Sequence, residues 1–486
     1  MKYSNINSSA IVFIVYAFCL AGISITAGCR KFLEAPKPVG QIAGSEAYIS
    51  DNSVASVVSG NFSLMQRSPL FSNNTPVGLQ TGLYTDELRS LDYALDIDYK
   101  AFYRDEINSH LVTAWSSLYQ QVYTVNTAIE GITSTKAILN YKNQWLGESL
   151  FNRALLYFYL VNLFGDVPLA TTTNYRVNNI LARTPRLQVY QQMIADLKQA
   201  QSLLSTEYKD GYGGVTTDRA RPNRSAANAL LARIYLYTGD WANAEKQAND
   251  IIGTAAYQLE TPLKAFLAAS KETIWGLAPT DGAVVPDFSA YNNNIPAVIA
   301  LPGSPINYSV FVAMSQSLIN AFEPGDTRFI NWVGSSTVMA TPNAPATTYY
   351  FPNKYKSNVP GTEYIIMFRL AEQYLIRAEA RAESGNISGA LSDLNVVRAR
   401  ASLPAATTVN NPAGLLGAIA NERRVELFSE LGNRFFDLKR TKTIDIVMNI
   451  AAPQKGGTWS SYKQIWPIPN GDIIINPNLT QAPGYQ

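Results

Sequence analysis

Two cysteines and one histidine in 486 residues leave little material for several kinds of chemistry. Cys19 and Cys29 can build neither a disulfide framework nor a cysteine-based zinc site. His110, in "INSHLVTAW", has no nucleophile motif beside it, so Ser-His-Asp, Cys-His and His-Glu-x-x-His catalysis lack their parts. It is expected on a helix, as a packed or surface residue. Charge is also scarce and nearly balanced: 39 basic against 37 acidic residues, a net +2. No basic excess or basic stripe with spaced aromatics is present, and no nucleic acid is expected as a partner. Hydrophobic residues make up 47% of the chain, which separates it from disordered sequences and gives ample core. No cofactor is expected.

Tyrosine, at 28 residues, is abundant instead. Most of these rings are expected to pack between helices, with the remainder free to form stacking surfaces. The N-terminus carries the other strong signal. Lys2 is the only charge before an uncharged run from Ala10 to Gly28. Its length would just span a bilayer, but Gly22, Ser24, Thr26 and Gly28 weaken its second half. The strongly apolar part, Ile11 to Leu20, has the length of a signal-peptide core. Ala27 and Gly28 directly precede Cys29, which resembles a bacterial lipobox except that Thr26 stands where Leu is usual. The expectation is cleavage before Cys29 and lipidation of it, removing residues 1–28 with Cys19; plain secretion and a retained helix are the alternatives. Several acyl chains bury enough CH₂ for stable anchoring in the outer membrane. Residues 29–45 then read as a tether and 46–486 as one domain.

From about 45 to 165 the pattern is mostly helical. Trp115, Leu118, Val122, Val125 and Ile129 recur at helical spacing, and Leu150 to Phe164 is apolar almost all round until Gly165 and Pro168. Two later segments share one register. Ala232 lies seven residues before Gly239 and Ala244 five after it; Ala378 and Ala390 stand in the same relation to Gly385. Each reads as helix, tight turn, helix: glycine ends the first helix, Asp240 or Asn386 caps the second, and the alanines allow close approach. This is tetratricopeptide-like spacing. Helical hairpins are expected at about 105–165, 187–253 and 366–430. Between the two repeats, residues 254–364 hold 11 of the 25 prolines, marking a long loop-rich insertion with a short helix near Ser315 to Phe322. A helix is expected from Pro412 to Phe428, and an irregular tail after about 445.

Taken together, these segments resemble the SusD/RagB family of lipid-anchored outer-membrane nutrient-binding proteins. The likeness runs from "CRKFLEAP" through "GLYTDEL", "WSSLYQQVYTVNTAIEGI", "GESLFNRALLYFYLVNLFGDVPLA", "RPNRSAANALLARIYLYTGDW" and "FRLAEQYLIRAEARAESGN". It is most specific in "NERRVELFSELGNRFFDLKR" and the closing "WPIPNGDIIINPNLTQAPGY". Thr85, Asn433 and Ala482 depart from the family pattern. The resemblance implies a mainly α fold: a tetratricopeptide-like α-α superhelical scaffold with a loop-rich insertion and few short strands. It implies partnership with a SusC-like TonB-dependent transporter, a glycan ligand, and exposure at the cell exterior. Arg30 and Lys31 directly follow Cys29, where surface-exposed relatives often carry acidic residues.

The resemblance places ligand contacts after the "TDEL" turn and in the insertion, which makes Asp86, Tyr93, Tyr99, Tyr103, Tyr291, Tyr308 and Trp332 the candidates. For each, packing is the competing expectation. The charged "ERRVELFSE" segment is read as fold maintenance, with Glu422, Arg423, Arg424, Glu426 and Glu430 at spacings that allow pairs along the helix. Asp86 and Glu87 are adjacent carboxylates, but a glycosidase needs two facing groups roughly 5–5.5 or 6.5–9.5 Å apart, so no catalytic role is expected. Asp92, Asp96 and Asp98 lack the spacing and glycine of a calcium loop. A peptide or other non-glycan cargo is the competing class of ligand.

Overall fold

The computed structural model describes residues 44 and 46–485, apart from 72–74, 92–96, 281, 293–294, 296, 300–311 and 408–410. The signal segment, Cys29, Tyr93 and Tyr308 lie outside the described residues. A short unit ends at Ala47 and a large one runs from Tyr48 to Gln486. Among the described residues no helix is long and apolar enough to cross a membrane.

The large unit is mainly helical. Helix α1, Asp51–Gln66, opens with a capping box: the Ser50 hydroxyl accepts from the Ser53 amide, and Ser53 reaches back to Ser50. Helix α2, Val77–Tyr84, is buried along its whole length, and β1, Leu88–Ser90, and α3, Ile97–Tyr103, follow it. His110 is in a turn rather than a helix, because the Asn108 side chain accepts from its amide at 2.9 Å. Helices α4, Ala114–Ser134, and α5, Lys142–Phe164, form the first hairpin. Trp115, Leu118, Val122 and Val125 of the expected stripe are buried, while Ile129 is only partly covered. Helix α5 is buried from Gly147 to Phe164, because α4 and α6, Arg186–Leu203, pack on it.

Helices α7, Arg224–Thr238, and α8, Trp241–Ile252, form the hairpin read from the first repeat. Gly239 takes the left-handed conformation, φ 74°, and the Asp240 carboxylate accepts from the Asn243 amide at 3.2 Å. The insertion carries β2, Thr273–Leu277, β3, Val298–Ile299, β4, Val312–Met314, α9, Thr327–Trp332, β5, Val333–Val338, and β6, Thr347–Pro352. Strand β7, Ile365–Arg369, pairs antiparallel with β2 and so closes the base of the insertion. Strands β3, β5 and β6 form a small sheet with β5 central. The expected short helix is a single turn, Gln316–Ile319, capped by the Ser315 hydroxyl.

Helices α10, Leu370–Glu383, and α11, Ile387–Arg400, repeat the hairpin, with Gly385 at φ 83° and Asn386 accepting from the Gly389 amide at 3.0 Å. Ala232, Ala244, Ala378 and Ala390 are all fully buried, as close helix approach requires. Arg233 of α7 and Glu372 of α10 pair at 2.7 Å in the interior between the repeats. Helices α12, Pro412–Leu427, α13, Asn433–Arg440, and α14, Ile444–Gln454, complete the scaffold. The tail after 445 is therefore not irregular throughout: Ile444, Met448 and Ala452 recur every fourth residue and are buried.

The charged α12 segment does not form surface pairs along its own helix. Its carboxylates reach the insertion and β7. Arg328 contacts Asp326, Glu422 and Glu426 at 2.8, 2.6 and 2.7 Å. Arg369 contacts Glu272 and Glu430 at 3.1 and 2.8 Å, and Lys354 contacts Glu430 at 2.5 Å. Arg369 and Arg400 both close on Glu426. Arg328, Arg369, Glu272, Glu422 and Glu426 are each at most 2% exposed, so this network is interior and fastens the insertion to the helices.

Candidate functional site

The two regions expected to carry the ligand surface are joined directly. Strand β1 pairs antiparallel with β4, with Leu88 opposite Met314, Arg89 opposite Ala313 and Ser90 opposite Val312. The Ser315 amide donates to the Glu87 carbonyl at 2.8 Å and extends the ladder. Upstream, Lys455 Nζ donates to the carbonyls of Leu83 and Thr85 at 3.0 and 3.2 Å, so a cation closes the C-terminal end of α2. The same ammonium pairs with Asp105 at 3.1 Å.

At the turn between α2 and β1, Asp86 is held by two guanidiniums. Arg434 Nε and Nη2 donate to its two oxygens at 2.9 Å each, and Arg424 Nη2 donates at 2.8 Å. Burial pushes this carboxyl up, but Arg434 and then Arg424 outweigh it and leave it below its ordinary value. Asp86 thus orients the turn and has no oxygen left over as a catalytic base. Glu87 is the reverse case: burial pushes it up to about 7 against the pull of Arg434 and Arg424. It accepts from the Ser429 amide at 3.3 Å. The two adjacent carboxylates have separate structural partners and do not make a facing acid and base.

The aromatic candidates divide by burial. Trp332 is fully buried: Lys354 and Arg400 lie over its ring at 4.8 and 5.0 Å, Phe266 meets it edge-on at 5.5 Å, and its Nε1 donates to the Pro262 carbonyl at 2.7 Å. Tyr291 and Tyr99 are 5% and 7% exposed. These three rings belong to the core, and the platform expected from them is not formed. The sequence placed them in loops, but the insertion folds its own aromatic interior. Tyr103 is half-buried, with Lys455 Nζ 5.5 Å from its ring.

A different pair emerges on the joined strands. Arg89 of β1 lies over the Tyr349 ring of β6 at 5.2 Å. Both are partly exposed, and no hydrogen bond or ion pair ties the Arg89 guanidinium to another of the described residues. Leu91, Ala313, Ile295, Val338 and Tyr349 form a small apolar cluster beneath. On the β5–β6 ladder that carries Tyr349, the exposed Thr337 and Thr348 hydroxyls share a hydrogen bond of 2.9 Å. Sequence reading passed over Arg89 because its partner is far away in the chain. The run of β-branched and aromatic residues in "TTYYFP" was the available signal for the strand that carries Tyr349.

Comparison with known proteins now bears on this arrangement. Residues 327–485 match the profile of the SusD family, and residues 80–236 match a profile described as starch-binding associating with outer membrane. The chain belongs to the SusD/RagB family. A SusD-like protein P2 of Formosa agariphila is 27% identical over 427 residues, covering 78% of this chain and 81% of its own length. A SusD superfamily structure from Bacteroides vulgatus superposes with a TM-score of 0.74 at 20% identity, covering 90% of this chain and 99% of that one. A laminarin-binding SusD-like protein superposes at 0.71 with 24% identity, covering 90% of this chain and all of its own. The residues between the two SusD-type profile matches, 237–326, take in much of the insertion and all of β4. The matched ranges take in most of the helical scaffold; α1, α8 and the network members Glu272 and Asp326 lie outside them.

Proposed function

We propose that the protein is a cell-surface lipoprotein that binds oligo- or polysaccharide and delivers it to a SusC-like TonB-dependent outer-membrane transporter. Family membership supports the ligand class and the outer-membrane association; the transporter partnership is what membership implies. The observation in this chain that carries the reading is the Arg89–Tyr349 contact, between β1, which pairs with β4 of the insertion, and β6 of the neighbouring small sheet. A sugar ring has an apolar face for an aromatic side chain and hydroxyl oxygens that accept from a guanidinium. The Arg89 guanidinium lies 5.2 Å from the Tyr349 ring centre with donors to spare, and the Thr337 and Thr348 hydroxyls add polar groups on the strand pair that carries Tyr349. Binding without hydrolysis fits the separate engagement of Asp86 and Glu87.

Arg89→Ala with Tyr349→Ala is expected to weaken saccharide binding by about tenfold or more, in line with the loss of one cation–π contact and its hydrogen bonds. Isothermal titration with the best-bound oligosaccharide from a glycan array measures this. Unchanged affinity moves the platform elsewhere; peptide binding with no saccharide binding replaces the cargo class. The anchor has its own test. Incorporation of a fatty-acid analogue is expected in the wild-type protein and absent in Cys29→Ala, and labelling that survives the substitution removes Cys29 as the lipidated residue.

A further inference from the structure

A second cavity, of about 640 Å³, lies on the helical side, among the end of α7, the start of α8, and α10, α12 and α13. Its volume is in the range of small-ligand sites, roughly 300–1,000 Å³. The wall combines an apolar part, including Leu236, Leu416 and Leu438, with two aromatic side chains, Tyr237 and Trp241. Both rings are only partly buried. Hydroxyls of Thr238, Thr441 and Thr443 also line the cavity.

Each guanidinium in this wall is in an ion pair. Arg423 and Arg440 pair with Asp437 at 2.9 and 2.7 Å, and Arg440 also with Glu379; Arg424 and Arg434 pair with Asp86 at 2.8 and 2.9 Å, and Glu383 adds a further carboxylate to the lining. What the wall offers an occupant is the two aromatic rings, the apolar side chains and the threonines. A neutral occupant with an apolar face for the rings and hydroxyls to exchange with the threonines matches this lining.

We propose that this cavity is a second saccharide site, taking one or two neutral sugar residues against Trp241 and Tyr237. The charge balance of the wall favours a neutral polyol over an acidic peptide. The site lies apart from the Arg89–Tyr349 surface, and the inference takes its ligand class from the proposed function.

The test uses the full chain and an array of laminari-, malto- and cello-oligosaccharides beside a random peptide library. Trp241→Ala removes the stacking face. Ala420→Trp, at an exposed lining position, fills the cavity without deleting a contact. Titration with the best-bound oligosaccharide is expected to show two classes of site. Each substitution should abolish one class or weaken it at least about tenfold, with the unfolding midpoint of Ala420→Trp unchanged. Wild-type stoichiometry and affinity in both variants overturns the second site while leaving the proposed function standing. Peptide binding that Ala420→Trp abolishes, with saccharide binding intact, reassigns the cavity to a peptide. Absence of any saccharide binding by the wild-type chain overturns the proposed function, and this inference with it.

Discussion

Glu426→Ala is expected to lose about 3–5 kcal/mol of folding stability, the usual cost of removing one member of a buried ion pair. The size follows from what the side chain neutralises. Glu426 is fully buried and meets Arg328 at 2.7 Å, together with Arg369 and Arg400. Alanine removes the one carboxylate that Arg328, Arg369 and Arg400 share, leaving Arg400 with Glu272 alone at 3.6 Å. Its main-chain carbonyl, which accepts from Lys354 Nζ at 2.8 Å and Arg369 Nη2 at 2.7 Å, would remain, but the cations would no longer be held in place. Urea denaturation followed by tryptophan fluorescence measures the loss. A change below about 1 kcal/mol, the size of an exposed pair, would show that the network does not fasten the insertion.

The same residue sets a direction for pH. Burial pushes the Glu426 carboxyl up, but Arg400, Arg369 and Arg328 outweigh it and hold it well below its ordinary 4.5. A depressed folded pKa contributes stability that is present above the unfolded value and is lost as pH falls toward the folded one. Asp437, held down to about 2 against burial by Arg423 and Arg440, contributes in the same direction. Glu422 opposes them, since burial raises it. The acid-side loss below about pH 4.5 should be shallower in Glu426→Gln, because that variant has no carboxylate left to protonate there.

The helical hairpins were legible because their signals are local. A glycine that must adopt positive φ, a capping Asp or Asn one residue later, and alanines one face apart all lie within a few turns of each other. Gly239 and Gly385 do what the spacing requires. The α12 charges were legible as important but not as interior. Within the helix, Glu422 and Glu426 look like partners for nearby arginines. In the fold, Glu426 meets Arg328 and Arg369, which lie 98 and 57 residues upstream. Helical periodicity carries no information about such pairings, and charged residues do not announce burial. Tyr99, Tyr291 and Trp332 are interior, against expectation, for a related reason. A proline-rich stretch with scattered aromatics reads as loop surface, yet strands β2, β5, β6 and β7 give that stretch an interior of its own. Arg89 and Tyr349 meet only because β4 pairs with β1 and packs near β6 of the other sheet, an approach that no local pattern encodes.

Trp332 gives the sharpest separation between the two roles an insertion aromatic can have. As a ligand platform, its removal would cut saccharide affinity and leave stability nearly untouched. As a core ring, its removal should do the reverse. The structure favours the second outcome: the ring is 0% exposed, has cations over it, and has its indole N–H satisfied by the Pro262 carbonyl. Trp332→Ala is expected to cost about 3–5 kcal/mol, the range for deleting a buried large aromatic. It also removes an apolar partner from Lys354, whose ammonium burial already lowers to about 8. Water entering the vacated space would relieve that burial and raise the lysine toward its ordinary value. Under native conditions the variant should still bind the same oligosaccharide as the wild type, since the Arg89–Tyr349 pair does not touch the ring. Chemical denaturation and titration on the same preparation decide the matter: retained stability with lost binding would return Trp332 to the ligand surface, and the fastening network would then need a different centre.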